Sequence, residues 1–137
     1  MNVALIGFGG VGKALIKLIE EKRVFLKNKY NKDINIKYII KSDGGIYNPK
    51  GIDLKAIIKI IEEKTDIKQH KLWASNMNVD SVIVNNDVDI LIELTTTNII
   101  DGQPGLSHIT KALENKINVV TGNKGPILLN YKELKNI

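Results

Sequence analysis

The sequence predicts an α/β fold with a doubly wound, mostly parallel sheet and helices on both of its faces. Two observations carry this prediction. Short, continuous apolar runs alternate along the chain with longer segments in which apolar residues recur at helical spacing. Segments rich in glycine, threonine, serine or lysine follow the carboxyl ends of these apolar runs. The alternation is typical of parallel strands joined by helical crossovers, because parallel neighbours cannot be connected by a tight turn.

The individual elements follow from the runs and periodicities along the chain. Short continuous apolar runs indicate strands buried on both faces, and an apolar stripe every three or four residues indicates a helix. Asp53 is a suitable N-cap, because its carboxylate can accept the first free N–H groups of a helix. The predicted strands are Val3–Ile6, Ile36–Ile40, Asp89–Leu94 and Asn118–Thr121. The predicted helices begin at Val11 (apolar face Val11, Leu15, Leu18, Ile19) and at Leu54, and others cover Val79–Val84, Gly105–Asn115 and Tyr131 to the end. Turns or loops are expected at Ser42–Gly45, at Tyr47–Gly51, at Lys64–Met77 with room for a short strand near Leu72–Trp73, and at Gly122–Pro126.

The composition is that of one globular domain of 137 residues, with 43% hydrophobic and 26% charged residues. There is no cysteine, which excludes disulfides, thiolate metal sites and a cysteine nucleophile. No cluster of metal ligands is apparent either. The apolar runs are far too short to cross a bilayer, and no basic leader precedes the first run. We therefore expect a cytoplasmic protein with neither a bound metal nor a membrane contact.

The formal net charge is +5 and the pI is about 9.3, so nucleic acid has to be considered as a partner. Arg23 is the only arginine, the lysines are spread over the whole chain, and aromatic residues make up 5% of the sequence. Nucleic-acid sites favour arginine for bidentate contacts and aromatic side chains for base stacking. The charge is therefore interpreted as a lysine-coated surface, and no nucleic-acid partner is expected.

The stretch Gly7-Phe8-Gly9-Gly10-Val11-Gly12 is a G-x-G-x-x-G sequence that directly follows a predicted strand and opens a predicted helix. In this context the first glycine permits a tight turn, the second lets the backbone approach a pyrophosphate, and the third allows close packing of helix on strand. The alternative is a glycine-rich turn without a ligand. The context favours a Rossmann-type dinucleotide site, with Gly7, Phe8, Gly9, Gly10, Val11 and Gly12 as cofactor-binding residues.

Residues at the carboxyl end of the second strand select between NAD and NADP. An acidic residue about 20 positions after the glycines usually holds the ribose 2′-hydroxyl. Asp33 has that spacing, but it precedes the second strand instead of following it. Lys41 and Ser42 do follow the strand and suit a 2′-phosphate, whereas Asp43 keeps NAD open. The cofactor is predicted to be NADP or NAD, with NADP favoured.

Two further strands end in polar residues at the same edge of the predicted sheet. Thr95 and Thr96 follow the strand that ends at Leu94, and Lys124 lies three residues past Thr121. Ligands of open α/β sheets bind beyond the carboxyl ends of the strands, so these residues extend the predicted site. Glu93 is interpreted as a structural carboxylate and His108 as a polar surface residue without a carboxylate partner, which gives a histidine–aspartate shuttle no support.

Several segments strongly resemble homoserine dehydrogenase. They are Val3–Gly12, Asp43–Tyr47, Ile92–Asn98, Asp101–Gly105, Ala112–Leu113 and Val119–Pro126. The resemblance extends over essentially the whole chain, but only over the N-terminal, nucleotide-binding part of the family. Its most specific portions are Asn123–Pro126 and the upstream Asp101–Gly105, because the glycine loop is shared with many folds.

The resemblance implies hydride transfer between L-homoserine and L-aspartate 4-semialdehyde with NAD(P), on the route to threonine and methionine. By position, Phe8–Gly12 would hold the pyrophosphate, and Thr95 and Thr96 would lie by the nicotinamide and its ribose. Lys124 would bind at the cofactor–substrate junction and act as the catalytic residue, since a cation there can stabilise an alkoxide. The substrate-binding half of the family is absent from residues 1–137. The chain is therefore expected to bind cofactor but to be catalytically incomplete.

Two other interpretations stay open. The chain can be a stand-alone nucleotide-sensing module whose assembly responds to NAD(H), or the front half of a different small-substrate dehydrogenase. A small-molecule substrate is expected only together with the missing domain, and a homodimer is an option. The sensor interpretation requires a ligand-dependent change of assembly, whereas the enzyme interpretation requires an adjoining substrate domain.

Overall fold

The computed structural model describes all residues 1–137 and contains six strands, five α-helices and one 3₁₀ turn. The strands are β1 (Asn2–Ile6), β2 (Asn35–Lys41), β3 (Gly44–Tyr47), β4 (Trp73–Ala74), β5 (Ile90–Glu93) and β6 (Asn118–Thr121). The helices are α1 (Gly10–Tyr30), α2 (Leu54–Glu62), α3 (Val79–Asn85), α4 (Gly105–Glu114) and α5 (Lys124–Lys135), and the 3₁₀ turn covers Ile67–Gln69. None of the helices combines the length and the apolar character that crossing a membrane requires.

All six strands form one sheet in the order β4-β3-β2-β1-β5-β6. Strands β2, β1, β5 and β6 run parallel, with Leu5 of β1 paired to Ile39 on one side and to Ile92 on the other. Strands β3 and β4 add an antiparallel edge next to β2. Strand β1 lies between β2 and β5, so the strand order reverses at β1. The carboxyl ends of the parallel strands share one edge of the sheet, and the glycine loop lies at that edge. The predicted mostly parallel sheet is confirmed.

Two apolar clusters, one on each face of the sheet, show that helices cover both sides. Ile16 of α1 and Ile57 of α2 pack on the face that includes Leu5. Val82 of α3 and Ala112 of α4 pack on the opposite face, which includes Ala4 and Ile6. Alternate residues of β1 thus enter different clusters, as the pleat of a strand requires.

The apolar face of α1 differs from the predicted one. Val11 and Leu18 are 67% and 50% exposed, and the buried residues of the helix are Gly12, Ile16 and Ile19. The reason is the close approach of the helix to the β1 turn, where a Cβ on Gly12 would collide with the carbonyl oxygen of Gly7. Gly12 therefore determines which face of α1 contacts the sheet, although a glycine does not contribute to an apolar sequence pattern.

Strand β3 replaces part of the predicted turn and loop. The turn is confined to the two residues after Lys41, and Gly44–Tyr47 pairs antiparallel with β2. A Cβ on Gly44 would lie 2.6 Å from the Trp73 ring, so only glycine lets β4 approach at this place. Paired glycines normally indicate a turn, and the close strand contact that they permit here depends on Trp73, which lies far along the chain.

Helix α5 starts at Lys124, seven residues before the predicted start at Tyr131, and it includes most of the segment predicted as a loop. Its N-cap is Asn123, whose side chain accepts the N–H of Gly125 at 3.3 Å. Pro126 fits in this first turn, because backbone N–H groups there have no acceptor within the helix. A non-helical backbone at Asn130 interrupts the helix just before the predicted start.

A polar cluster lies near the amino ends of the parallel strands, at the edge opposite the glycine loop. Asp87 accepts hydrogen bonds from Lys37 (3.1 Å), from the Tyr38 hydroxyl (2.9 Å) and from the Tyr47 hydroxyl (3.0 Å). Burial raises the pKa of Asp87, but these three hydrogen bonds outweigh it and leave the pKa below its ordinary value. The fully buried Tyr38 stacks on Tyr47, with ring centroids 4.3 Å apart. The cluster therefore contributes to stability and not to the site.

Candidate dinucleotide-binding site

The turn between β1 and α1 is held tightly against the protein by its first and last glycines. Gly7 has a φ of +102°, a left-handed conformation that residues with a side chain rarely adopt. A Cβ there would lie 2.6 Å from the carbonyl oxygen of Leu94, and a Cβ on Gly12 would collide with the carbonyl oxygen of Gly7. These two glycines are required by the fold itself, whether or not a ligand binds.

The two middle glycines have open space where a side chain would be. A Cβ on Gly9 or on Gly10 would meet no protein atom within 4 Å. Gly9 is the N-cap of α1 and has no side chain that could cap the helix. The first amide of the helix that has a backbone acceptor is that of Lys13, which donates to the carbonyl oxygen of Gly9 at 3.0 Å. The free N–H groups and the positive end of the helix dipole thus border an open space. A phosphate group fits this arrangement.

A cavity of about 650 Å³ adjoins the loop at the carboxyl ends of β1, β2 and β5. Its lining includes many of the predicted site residues, namely Gly7, Phe8, Gly9, Lys41, Ser42, Thr95 and Thr96. Gly10, Val11 and Gly12 lie in the first turn of α1, where Val11 is exposed. Asn78, Pro104 and His108 also line the cavity and were not predicted. The structure therefore brings three of the four predicted strand ends together.

Lys124 is the predicted site residue that does not join the others. It is the first residue of α5, its side chain is exposed, and it does not line the cavity. Its neighbour Asn123 is buried and bonds to the strand end that bears Thr95, so Lys124 stands beside the site and not within it. The strand before it, β6, is a sheet edge on which Val120 is 54% exposed.

A second cavity, of about 380 Å³, lies on the α1 and α2 side of the loop. Phe8 and Lys41 line both cavities, and Lys13 and Lys64 add two further cations to the second. Lys41 is only weakly engaged, with its Nζ 4.0 Å from Asp43 and 5.9 Å from the centre of the Trp73 ring. Asp66 also lines this cavity, so the three lysines outnumber the acidic residue and the lining suits an anionic group.

Asp43 does not stand free to bind a ribose hydroxyl. Its carboxylate forms an ion pair with Lys68 at 2.6 Å, and a second, longer one with Lys41. The hydrogen bond from Lys68 holds the pKa of Asp43 below its ordinary value. The residue that would favour NAD is thus already paired with lysines.

Glu93 is the centre of a buried network beneath the strand ends. It is fully buried and accepts the backbone N–H of Thr95 at 3.0 Å and also the Thr95 hydroxyl. The Thr121 hydroxyl lies 3.4 Å from its other oxygen, and Asn123 donates to the Thr95 hydroxyl and to the Thr96 carbonyl, both at 3.4 Å. The predicted structural role of Glu93 agrees with these contacts, because the network joins β5 to β6 and α5.

His108 is not the surface residue that the sequence predicted. Its side chain is 19% exposed, and its Nδ1 lies 3.6 Å from Oε1 of Glu93, so it does have a carboxylate partner. Burial raises the pKa of Glu93, but His108 and Thr95 outweigh burial and bring the pKa below its ordinary value. The signal in the sequence was Glu93 itself, because a carboxylate in an apolar strand needs donors. Which donors would meet it depended on where α4 packs.

Comparison with known proteins agrees with this geometry. A family model described as Glutamate/Leucine/Phenylalanine/Valine dehydrogenase matches residues 1–123. The chain belongs to this dehydrogenase family. Its resemblance to homoserine dehydrogenase is also confirmed, since relatives of that name align with 98% of the chain, past the end of the family match.

Two curated relatives and one solved structure illustrate the similarity of the chain to this enzyme. The homoserine dehydrogenase of Methanocaldococcus jannaschii is 35% identical over 134 residues, which are 98% of this chain and 40% of the relative. The NAD(+)-dependent homoserine dehydrogenase of Pseudomonas canavaninivorans is 35% identical over 137 residues, 98% of this chain and 38% of the relative. A hyperthermophilic archaeal homoserine dehydrogenase mutant in complex with NADPH superposes with a TM-score of 0.79 at 26% identity, over 98% of this chain and 39% of that chain. The chain thus spans about 40% of the length of the curated relatives.

Proposed function

We propose that this chain is the dinucleotide-binding domain of a homoserine dehydrogenase and binds NADP or NAD. The observation that carries the proposal is the loop at Gly9 and Gly10, where free helical N–H groups border open space beside the cavity. Thr95 and Thr96 follow the neighbouring strand β5 and line the same cavity, where they are proposed to contact the other end of the cofactor. The relatives' names give homoserine as the substrate. Loss of a hydride and a proton from its alcohol group gives the proposed product, L-aspartate 4-semialdehyde.

In the proposed reaction the nicotinamide, when bound, supplies or accepts the hydride. The first turn of α1 neutralises phosphate charge with its free N–H groups and dipole. Thr95 is held by Glu93 and Asn123, so its position at the cavity wall is set before a ligand arrives. Lys124 is proposed to polarise the substrate carbonyl, because an ammonium group near a developing alkoxide stabilises its charge.

The substrate half of the site is proposed to lie outside residues 1–137. The support is the share of the relatives that the chain spans, about 40%, together with the exposed position of Lys124 beside the cavity. A small-molecule substrate, catalytic turnover and assembly into a homodimer are therefore proposed only for the longer protein.

NADP is proposed to be the preferred cofactor. Lys13, Lys41 and Lys64 line the second cavity next to the end of β2, and a 2′-phosphate placed there would gain their charge. Asp43, which would favour the unsubstituted ribose, is paired with Lys68 and Lys41. Calorimetric titration of the chain with NADPH and NADH tests both parts of this proposal. Tighter binding of NADPH is expected; tighter NADH overturns the preference, and no binding of either overturns the cofactor role.

A chimera tests the enzyme class. The aligned segment of the Methanocaldococcus jannaschii relative is replaced by this chain, and NADP reduction is measured with homoserine and, separately, with glutamate. Homoserine-dependent turnover is expected, with none on glutamate. A chimera that binds NADPH but reduces NADP with neither substrate would contradict the assignment, and a Lys124→Met chimera serves as the matched control for the proposed catalytic residue.

A further inference from the structure

The buried carboxylate of Glu93 and the partly exposed imidazole of His108 form a pair that the function described so far does not use. Glu93 has no exposed surface, and apart from His108 its neighbours in hydrogen-bonding range are neutral groups of Thr95 and Thr121. An ionised carboxylate at such a place needs every available donor. His108 is the remaining one, and its Nδ1 is 3.6 Å from Oε1.

The imidazole of His108 connects this pair to the cavity. Its Nδ1 is buried and has no hydrogen-bond partner within normal distance, so Glu93 is the group that it faces. The same residue lines the 650 Å³ cavity together with Thr95 and Thr96. The two nitrogens of an imidazole ring point away from each other. Because Nδ1 faces the buried carboxylate, Nε2 is the nitrogen left for a ligand in the cavity.

The carboxylate also decides which nitrogen carries the proton. A neutral imidazole has one N–H and one acceptor nitrogen, and the tautomer follows from the hydrogen bond that the first nitrogen makes. Beside Glu93 the proton belongs on Nδ1, which leaves Nε2 as an acceptor. The other polar groups around the cavity include the N–H groups of α1 and the ammonium of Lys41, which are donors. Nε2 of His108 adds an acceptor next to these donors, and an acceptor nitrogen suits a ligand group that can donate.

We propose that His108 is a cofactor-binding residue whose Nε2 accepts a hydrogen bond from a hydroxyl or amide group of the bound dinucleotide, and that Glu93 is the positioning residue that fixes its tautomer. The inference rests on the proposed dinucleotide binding. It adds a ligand contact on α4 to those of the glycine loop.

The tautomer is tested directly by nitrogen NMR of the imidazole rings in the chain at about pH 8, above the ordinary histidine pKa. There are two histidines, and the second is an internal control. Nδ1 of His70 accepts the backbone N–H of Leu72 at 3.2 Å, so His70 must carry its proton on Nε2. His108 is expected to show the opposite pattern, with the proton on Nδ1. The same tautomer for both histidines, or a doubly protonated His108, would overturn the proposal.

Addition of NADPH then tests the ligand contact. The Nε2 resonance of His108 is expected to shift toward the value of a hydrogen-bonded acceptor, while the resonances of His70 stay in place. Glu93→Gln keeps the shape of the side chain but removes its charge, and it is expected to give a mixture of His108 tautomers. An Nε2 signal that does not move at saturating NADPH contradicts the contact even if the tautomer is as expected.

Affinity measurements on matched variants complete the test. His108→Asn keeps an N–H donor near the position of Nδ1 and removes Nε2, and it is expected to weaken NADPH binding about fivefold or more. His70→Asn is the control and is expected to leave the dissociation constant unchanged, with thermal unfolding checking that both variants are folded. Wild-type affinity in His108→Asn refutes this inference alone, whereas failure of the wild-type chain to bind NADPH refutes the proposed function as well.

Discussion

The glycine loop allows the ligand contribution to be separated from the folding contribution with two alanine substitutions. Gly9→Ala places a methyl group where no protein atom lies within 4 Å, on a backbone with φ −83° that alanine tolerates. We expect the free energy of unfolding to change by no more than about 1 kcal/mol, with a small gain from the stiffer unfolded chain. The methyl group would, however, occupy the space next to the free N–H groups, where the proposed phosphate binds.

The expected loss of affinity follows from this placement. An inserted methyl group that forces a packed ligand to shift costs about 1–3 kcal/mol, which corresponds to a roughly 5- to 150-fold higher dissociation constant for NADPH. Calorimetry gives that constant, and differential scanning calorimetry gives the melting temperature of the same sample. Unchanged NADPH affinity in Gly9→Ala would refute the assignment of this loop as the phosphate site.

Gly12→Ala is the matched opposite case. Its Cβ would collide with the backbone oxygen of Gly7, which cannot move without disturbing β1. The expected destabilisation of about 1–3 kcal/mol lowers the melting temperature by roughly 3–15 °C in a domain of this size. Equal destabilisation by Gly9→Ala and Gly12→Ala would contradict the conclusion that the space beside Gly9 is open.

Three further predictions concern cofactor choice, stability and turnover. Lys41→Met is expected to weaken NADPH roughly 3- to 10-fold and NADH by much less, because only NADPH carries the 2′-phosphate; equal losses in paired titrations would argue against that contact. Asp87→Asn is expected to cost about 1–3 kcal/mol of unfolding free energy, since the hydrogen bonds from Lys37, Tyr38 and Tyr47 lose a charged acceptor. Because the pKa of Asp87 is lowered in the folded state, its contribution is fully present above the unfolded pKa and is lost as pH falls through the folded value. Below about pH 4, the free energy of unfolding measured in urea should therefore fall more steeply with decreasing pH in the wild type than in the variant. The same slope in both would contradict the interpretation. The chain alone is expected to bind NADPH yet to show no homoserine-dependent reduction of NADP, and robust turnover in a spectrophotometric assay would refute the division of the site.

Local sequence was sufficient wherever an element depends on its own residues. The strand before Gly7 and the helix after it were predictable, because a buried apolar run and a helical stripe are properties of neighbouring positions. The Asp53 cap is another case, since its carboxylate accepts the N–H of Lys55, two residues away. The edge of the sheet that holds the candidate site was also predictable, because polar residues that follow parallel strands lie at the same edge.

The elements that sequence reasoning missed depend on distant partners. Strand β3 exists because Gly44 and Gly45 let the chain pass close to Trp73 and Ile39. The start of α5 depends on Asn123, which is fixed by bonds to Thr95 and Thr96 as well as by its own cap. In both places glycine and proline indicate a loop by propensity, and tertiary contacts override that preference.

Local sequence patterns specify a parallel α/β domain with a glycine loop at the ligand-binding edge of its sheet, because strand and helix periods and turn glycines act over a few residues. Which of the polar residues at that edge line the cavity depends instead on how the helices pack against the sheet. This packing places Lys124 beside the cavity, and it brings His108 of α4 to Glu93 of β5. The physical reason is that a buried carboxylate is satisfied by whichever donors the packing of helices brings to it, and that packing is a property of the whole sheet.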